Sequence, residues 1–305
     1  MRDEKILITG VAGQIAFPMA RFLAADNEVW GLARFSEAGS RERVEDAGIT
    51  PVACDLATGD LSAVPDDFTL LIHLAAFQGP GLDYDLALAH NAEATGFVME
   101  HCRAARAALV MSTHSVYRPH PDHTHVFRET DPLGEANLQY CPTYSMAKIA
   151  QEAVARFCAR AFDLPTTIAR MNASYGPNGG LPAMHADAVA SGAAVTTRWD
   201  PCPYSPIYED DINTQVGALL AAASTPATIV NWAGDEAVTA QEWTEMAGFL
   251  LGKPATVVVT PVDGSLRGSI ADVTRRASIT GPCQVGWREG MRRTVAARHP
   301  AQETP

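Results

Sequence analysis

The sequence predicts a doubly wound α/β fold, a parallel sheet with a small C-terminal capping subdomain. Three observations carry that expectation. Short apolar runs alternate with helical patterns over the first 175 residues, the first run ends in a glycine-spaced turn, and the punctuation changes beyond residue 176.

Ile6-Leu7-Ile8 is an apolar run that ends at Thr9-Gly10, and an amphipathic helical pattern follows from Gln14 to Ala25. In Gly10-x-x-Gly13-x-x-Ala16, glycines let the backbone approach a pyrophosphate, and the helix start at Gln14 and Ile15 offers free N–H groups and positive dipole. A plain structural turn is the competing reading. Glu28 to Ala33 reads as the second strand. About 20 residues past the first glycine, a site for NAD places an acid on the ribose hydroxyls. Here the chain has Ala33 and Arg34, with Ser36 and Arg41 nearby, so the sequence favours NADP(H).

Pro51 to Cys54 is the third expected strand, with Asp55-Leu56 placed to meet an adenine. Leu70 to Leu74 is the fourth, and the small residues that follow it, Leu74-Ala75-Ala76, suit a dinucleotide passing over the backbone. A helix is expected over Leu82 to Ala105, containing Asn91, then a fifth strand over Ala108 to Met111. Thr113 and Ser115 follow that strand end, where residues of a parallel sheet face the ligand crevice, so both are candidates for binding a substrate oxygen. Loop hydroxyls satisfied by backbone are the alternative.

A long loop carries His120, His123 and His125, but its proline content and lack of helical spacing argue against a metal, and none is expected. Tyr140 to Phe162 reads as a helix with Tyr144 and Lys148 on one face. An ammonium near a phenol favours the phenolate, making Tyr144 a candidate general acid or base. Leu164 to Met171 is the sixth strand, closed by a turn from Asn172 to Pro177. Helices are expected over Asp210 to Ala223, Ala240 to Leu251 and Gly286 to Ala297, with strands over Thr228 to Asn231 and Ala255 to Thr260. The expected division is a dinucleotide-binding domain over 1–175 and a mainly substrate-binding subdomain over 176–305, some of whose segments return to the sheet. The last few residues are expected to fray.

The 305 residues are 47% hydrophobic and 19% charged with a net charge of -12, a balance that suits a soluble globular chain acting on a small molecule. It argues against the basic face that nucleic acid or an anionic membrane requires. Six scattered cysteines without a Cys-x-x-Cys pair, no visible targeting peptide and no apolar run near bilayer length point to the cytoplasm.

Several segments together resemble the extended short-chain dehydrogenase/reductases of the NAD-dependent epimerase/dehydratase family, over roughly residues 5 to 250. They are Thr9-Gly10-Val11-Ala12-Gly13-Gln14-Ile15-Ala16, Asp55-Leu56, His73-Leu74-Ala75-Ala76, Asn91, Ser112-Thr113 before Val116-Tyr117, Tyr144-x-x-x-Lys148, Arg170 to Pro177, and Tyr208-Glu209-Asp210-Asp211. The resemblance implies a Rossmann sheet and a catalytic set in which Tyr144 moves a proton, Lys148 binds the nicotinamide ribose, and Thr113 orients the substrate oxygen, with Ser115 second to it. It also implies that Asn91 supports Lys148 through water, and that two long helices per subunit form a homodimer. Ala16 and Ala94 replace family glycines. Nucleotide-sugar members carry an Arg-Asp where this chain has Tyr204-Ser205-Pro206, with Arg198 or Arg267 as possible substitutes for the missing Arg.

The leading expectation is therefore an NADP(H)-dependent oxidoreductase interconverting an alcohol and a carbonyl on a small non-nucleotide substrate, with Ser115, Asn172, Trp199 and Tyr204 as substrate residues. A nucleotide-sugar epimerase or dehydratase is the first alternative, and a non-catalytic cofactor-sensing protein the second.

Overall fold

The computed structural model describes residues 1–134 and 136–300, so the C-terminal residues expected to fray lie outside it. The chain forms two compact units, each assembled from separate segments. The first comprises residues 1–116, 138–170 and 213–230; the second comprises 117–137, 171–212 and the chain from Asn231 onward.

The first unit is built on seven parallel strands: β1 (Lys5–Thr9), β2 (Glu28–Ala33), β3 (Thr50–Ala53), β4 (Leu70–His73), β5 (Ala107–Thr113), β6 (Thr166–Met171) and β7 (Thr228–Trp232). Their order is β7-β6-β5-β4-β1-β2-β3. Ile6 pairs with Val29 on one side and Leu70 on the other, so the order reverses at β1 and β4. Ligands of doubly wound sheets bind at such a reversal. Every residue of β4 is buried, as befits a strand covered on both faces. Leu7, Leu32, Leu71, Val98, Met99 and Ile168 form part of its core.

The helices α1 (Ala16–Ala24), α2 (Ser40–Asp46), α3 (Tyr84–Leu88), α4 (Ala94–His101) and α5 (Tyr144–Ala161) accompany this sheet. The expected long helix from Leu82 to Ala105 is instead α3 and α4 joined by a π-helical segment, Ala89–Glu93, which buries Asn91. Helix α5 begins at Tyr144 rather than Tyr140, because the residues before it form turns. Helix α2 was not anticipated.

In the second unit, Ile207–Tyr208, Ser174–Gly176 and Gly179–Gly180 form a three-stranded sheet. The helices Leu181–Ser191, Ala240–Leu251 and Trp287–Arg298 pack on one another around Tyr175, Tyr208, Trp243, Trp287 and Met291. The strand expected over Ala255 to Thr260 is Val257–Val259, paired with Val195–Thr197 outside the main sheet.

Candidate active site

Strand β5 ends at Thr113 and α5 starts at Tyr144, so each element delivers its side chain from its first or last residue. The side chains of Gln78 and Thr113 both act on the Tyr144 phenol, each drawing its pKa down. The Thr113 and Ser115 hydroxyls lie 2.9 Å apart, and Ser145 donates from its hydroxyl to the Ser115 carbonyl. One helical turn on, the Lys148 ammonium lies 5.9 Å from the centre of the Tyr144 ring and donates to the Met111 carbonyl at 2.7 Å.

Both groups are buried, and burial opposes charge on each. It pushes the Tyr144 phenol up to about 12, against the pull of Gln78 and Thr113. It pushes the Lys148 ammonium down to about 7, with Glu152 opposing the shift. Below α5, Ser112 donates to Glu152 at 2.6 Å, and Arg170 holds the same carboxylate through two bonds of 2.8 and 2.9 Å. Ser112 is thereby committed, leaving Thr113 as the strand-end hydroxyl beside Tyr144.

The turn expected to hold a cofactor has the shape that role requires. Gly10 adopts φ +71°, and a Cβ there would stand 2.9 Å from the Ala75 Cα, so only glycine lets the two turns approach. The Gly13 N–H bonds to the Gly10 carbonyl at 2.8 Å, and α1 begins directly after Gln14 and Ile15. The Leu74 and Ala75 N–H groups both donate to the Thr9 hydroxyl oxygen at 3.1 Å. Thr9 in turn meets His73 Nδ1 at 2.8 Å.

The tautomer of His73 follows from its other neighbour. The Thr95 hydroxyl donates to the Asn91 carbonyl at 2.6 Å, so it can only accept from His73 Nε2 at 2.8 Å and Gln151 Nε2 at 2.9 Å. His73 therefore carries its proton on Nε2 and accepts from Thr9. Burial, then Lys148, pushes it down to about 3, which keeps it neutral. This chain of bonds fixes the turn from Leu74 to Ala76 against the glycine turn. The residues fit a dinucleotide.

Just past the end of β2 Arg34 is exposed, while Arg41 pairs with Glu45 at 3.3 Å. A residue missed in the sequence, Arg43 of α2, donates to the Ala12 carbonyl at 2.9 Å and stacks on Phe17 at 4.4 Å, which brings a guanidinium to the glycine turn. The Asp55 carboxylate accepts from the Ala57 N–H at 3.2 Å and stands 3.6 Å from His90; Leu56 packs beside the core.

Asn91 grips Phe77, accepting from its N–H at 3.0 Å and donating to its carbonyl at 3.1 Å, and donates again to the Ala87 carbonyl at 3.1 Å. In the second unit, Asn172 donates to the Ser269 carbonyl at 2.7 Å and accepts from Ala173 and Ser205 N–H groups. The Tyr204 hydroxyl takes a bond from Arg198 at 3.2 Å, and Trp199 donates to Ser265 at 2.8 Å under the Arg267 guanidinium. His125 bonds to Asp131 at 2.8 Å and stacks on His120. Among the described residues no group of three or more His, Cys, Asp or Glu is set to hold a metal, and no helix is long and apolar enough to cross a membrane.

Known structures share the fold across nearly the whole chain. UDP-glucuronic acid 4-epimerase from Bacillus cereus, in complex with UDP-glucuronic acid and NAD, is 20% identical with a TM-score of 0.83, covering 96% of this chain and 98% of its own. UDP-N-acetylglucosamine 4-epimerase from Methanobrevibacter ruminantium M1, in complex with UDP-N-acetylmuramic acid, is also 20% identical at 0.83, covering 97% and 98%. UDP-glucose 4-epimerase from Thermus thermophilus, in complex with NAD, is 24% identical at 0.82, covering 99% and 100%. No curated protein sequence matches the chain. The sequence model of one family matches residues 6–198, more than half of the chain. The chain belongs to the NAD dependent epimerase/dehydratase family, enzymes of the extended short-chain dehydrogenase/reductase type.

Proposed function

We propose that the protein is a nucleotide-sugar epimerase or dehydratase acting at a carbinol carbon. The observation that carries the chemistry is the Lys148 ammonium 5.9 Å from the centre of the Tyr144 ring, one turn along the same helix face, with Thr113 at the end of β5 acting on the Tyr144 phenol. Tyr144 takes the hydroxyl proton of the substrate as its phenolate, Thr113 orients that oxygen, and Lys148 supplies the positive charge that favours the phenolate. A bound nicotinamide supplies the hydride acceptor. The family and the UDP-sugar epimerases of the same fold support the nucleotide-sugar substrate better than the net alcohol–carbonyl interconversion expected from the sequence.

One observation favours that second reading, an oxidoreductase with a small non-nucleotide substrate. Tyr204-Ser205-Pro206 offers no Arg for a diphosphate, although Arg198 reaches the Tyr204 hydroxyl. Incubation with UDP-sugars and NAD+ or NADP+ separates the two. A changed sugar in the NMR spectrum, with no absorbance gained at about 340 nm from the reduced nicotinamide, supports the epimerase. Net reduced cofactor with simple alcohols supports the oxidoreductase. In either case Tyr144→Phe is expected to lower turnover by at least about a hundredfold, and intact turnover would overturn the assignment.

The first unit is proposed to carry the dinucleotide and the second to choose the substrate. Arg34 and Arg43 support NADP(H), whereas the similar structures named with a cofactor hold NAD. A homodimer through α4 and α5 is proposed because both helices expose Phe side chains, Phe97 and Phe157. The cytoplasm is the proposed address, since all six cysteines are free thiols.

A further inference from the structure

We propose that the buried Glu152–Arg170 ion pair, together with Ser112, is the positioning set of the proton-transfer site, fixing how far along β5 helix α5 sits and so where the Lys148 ammonium stands beside Tyr144. The inference rests on the reading of Tyr144 and Lys148 as the proton-transfer pair. All the residues it uses lie in the first unit.

Met111 and Ser112 are consecutive residues near the end of β5, and Lys148 and Glu152 stand one turn apart on α5. The Met111 carbonyl accepts from the Lys148 ammonium at 2.7 Å, and the Ser112 hydroxyl donates to the Glu152 carboxylate at 2.6 Å. Two adjacent strand residues are thus joined to two adjacent turns of the helix. From β6, the strand next to β5, Arg170 reaches both oxygens of the same carboxylate, at 2.9 and 2.8 Å. A planar guanidinium meeting both oxygens allows the carboxylate one orientation.

Apolar packing alone would set this register loosely. Apart from Tyr144, the buried apolar residues of α5 are Ala147, Ala155, Cys158 and Ala159, and side chains so short interlock little with a sheet. Nor does stability account for the ion pair. Both side chains are only 2% exposed, and the cost of drying two charges offsets most of what their attraction contributes. What the pair supplies is a single arrangement of the helix and the two strands that carry it. Its charge acts in the same sense, because Glu152 opposes the effect of burial on the Lys148 ammonium.

The test uses the full chain, whose three lysines are Lys5, Lys148 and Lys253, labelled at lysine Cε with the NMR-active carbon isotope; the Lys148 resonance is the one missing from Lys148→Met. Glu152→Met combined with Arg170→Met removes both charges together and strands neither. In that variant the resonance is expected to move, and kcat with UDP-glucose and NAD+ to fall by about a hundredfold while KM stays within about twofold. Ser112→Ala, which leaves the pair whole, is expected to move the resonance less and to lower kcat by about tenfold, with Ser112→Thr restoring it. A Lys148 resonance that stays in place in the folded double variant overturns the positioning role; where that variant does not fold, the same result in Ser112→Ala overturns it. Should the unaltered protein turn over no UDP-sugar, the functional reading fails, while the resonance still decides this inference.

Discussion

Burial of the Lys148 ammonium weakens the folded state in a way that depends on pH. In the unfolded chain the group titrates near 10.5, and in the folded protein burial lowers it to about 7. Below about 7 both states hold the proton, so the folded state bears the full desolvation penalty. Between about 7 and 10.5 the unfolded chain binds more protons, stability from this group rises with pH, and above 10.5 the penalty is gone. Lys148→Met is therefore expected to raise the urea midpoint at pH near 6 by an amount equivalent to about 1–3 kcal/mol, less than the full penalty because the Met111 carbonyl loses its donor. The gain should shrink towards pH near 10, while turnover is lost throughout. A gain that grew with pH would show that Lys148 enters the folded protein charged and paired. The same burial keeps Tyr144 protonated in the free protein at neutral pH. Proton abstraction then needs the donors around its oxygen and the positive charge that a bound dinucleotide and Lys148 bring.

At the scale of elements, α4 and α5 contact each other, and their outer faces expose Phe97 (38%) and Phe157 (67%). Phe157→Arg is expected to convert a dimer to a monomer in sedimentation velocity, with the folded CD spectrum retained, because the side chain already faces solvent in the single chain. A wild-type protein that sediments as a monomer would end the dimer reading. The long elements of this unit were legible in the sequence because their apolar period is strong: β1 and β4 are nearly continuous apolar runs, and the glycine turn between β1 and α1 has a physical need for Gly10. Helix α2 was not legible, since Ser40-Arg41-Glu42-Arg43-Val44-Glu45-Asp46 buries a single apolar side chain, Val44. The helix Leu181–Ser191 was hidden for a different reason. Gly179, Gly180 and Pro182 read as loop punctuation, although proline is at home in a first helical turn. Missing α2 meant missing Arg43, and an unpatterned loop hid Gln78. Asn172, expected among the substrate residues, uses its amide on Ser269, Ala173 and Ser205, partners that no local sequence pattern announces.

For the whole molecule, the two units provide a thermodynamic test of which part binds the dinucleotide and which dinucleotide it prefers. The glycine turn, Leu74 to Ala76, Thr113, Tyr144 and Lys148 all fall in the first unit. A ligand that binds only the native state stabilises whatever unfolds with its site, by about 2.7 kcal/mol at a hundred times its dissociation constant. For a unit of this size that is a rise of roughly 5–10 °C in the midpoint. If calorimetry resolves two transitions, NAD+ or NADP+ should move one of them and leave the other in place. If it resolves a single transition, the whole endotherm should move. The choice between cofactors turns on the guanidinium groups. With no acid at Ala33 to repel it, a 2'-phosphate gains from Arg34 and from Arg43, which already reaches the Ala12 carbonyl of the glycine turn. NADP+ is then expected to give the larger shift, and Arg34→Gln with Arg43→Gln should bring it down to that of NAD+ while the NAD+ shift persists. The difference should also fade in high salt, because both arginines act at the surface of a chain whose net charge is -12. An NAD+ shift that exceeds the NADP+ shift in the unaltered protein would instead assign the arginines to the fold and leave the ribose hydroxyls to be met by other groups.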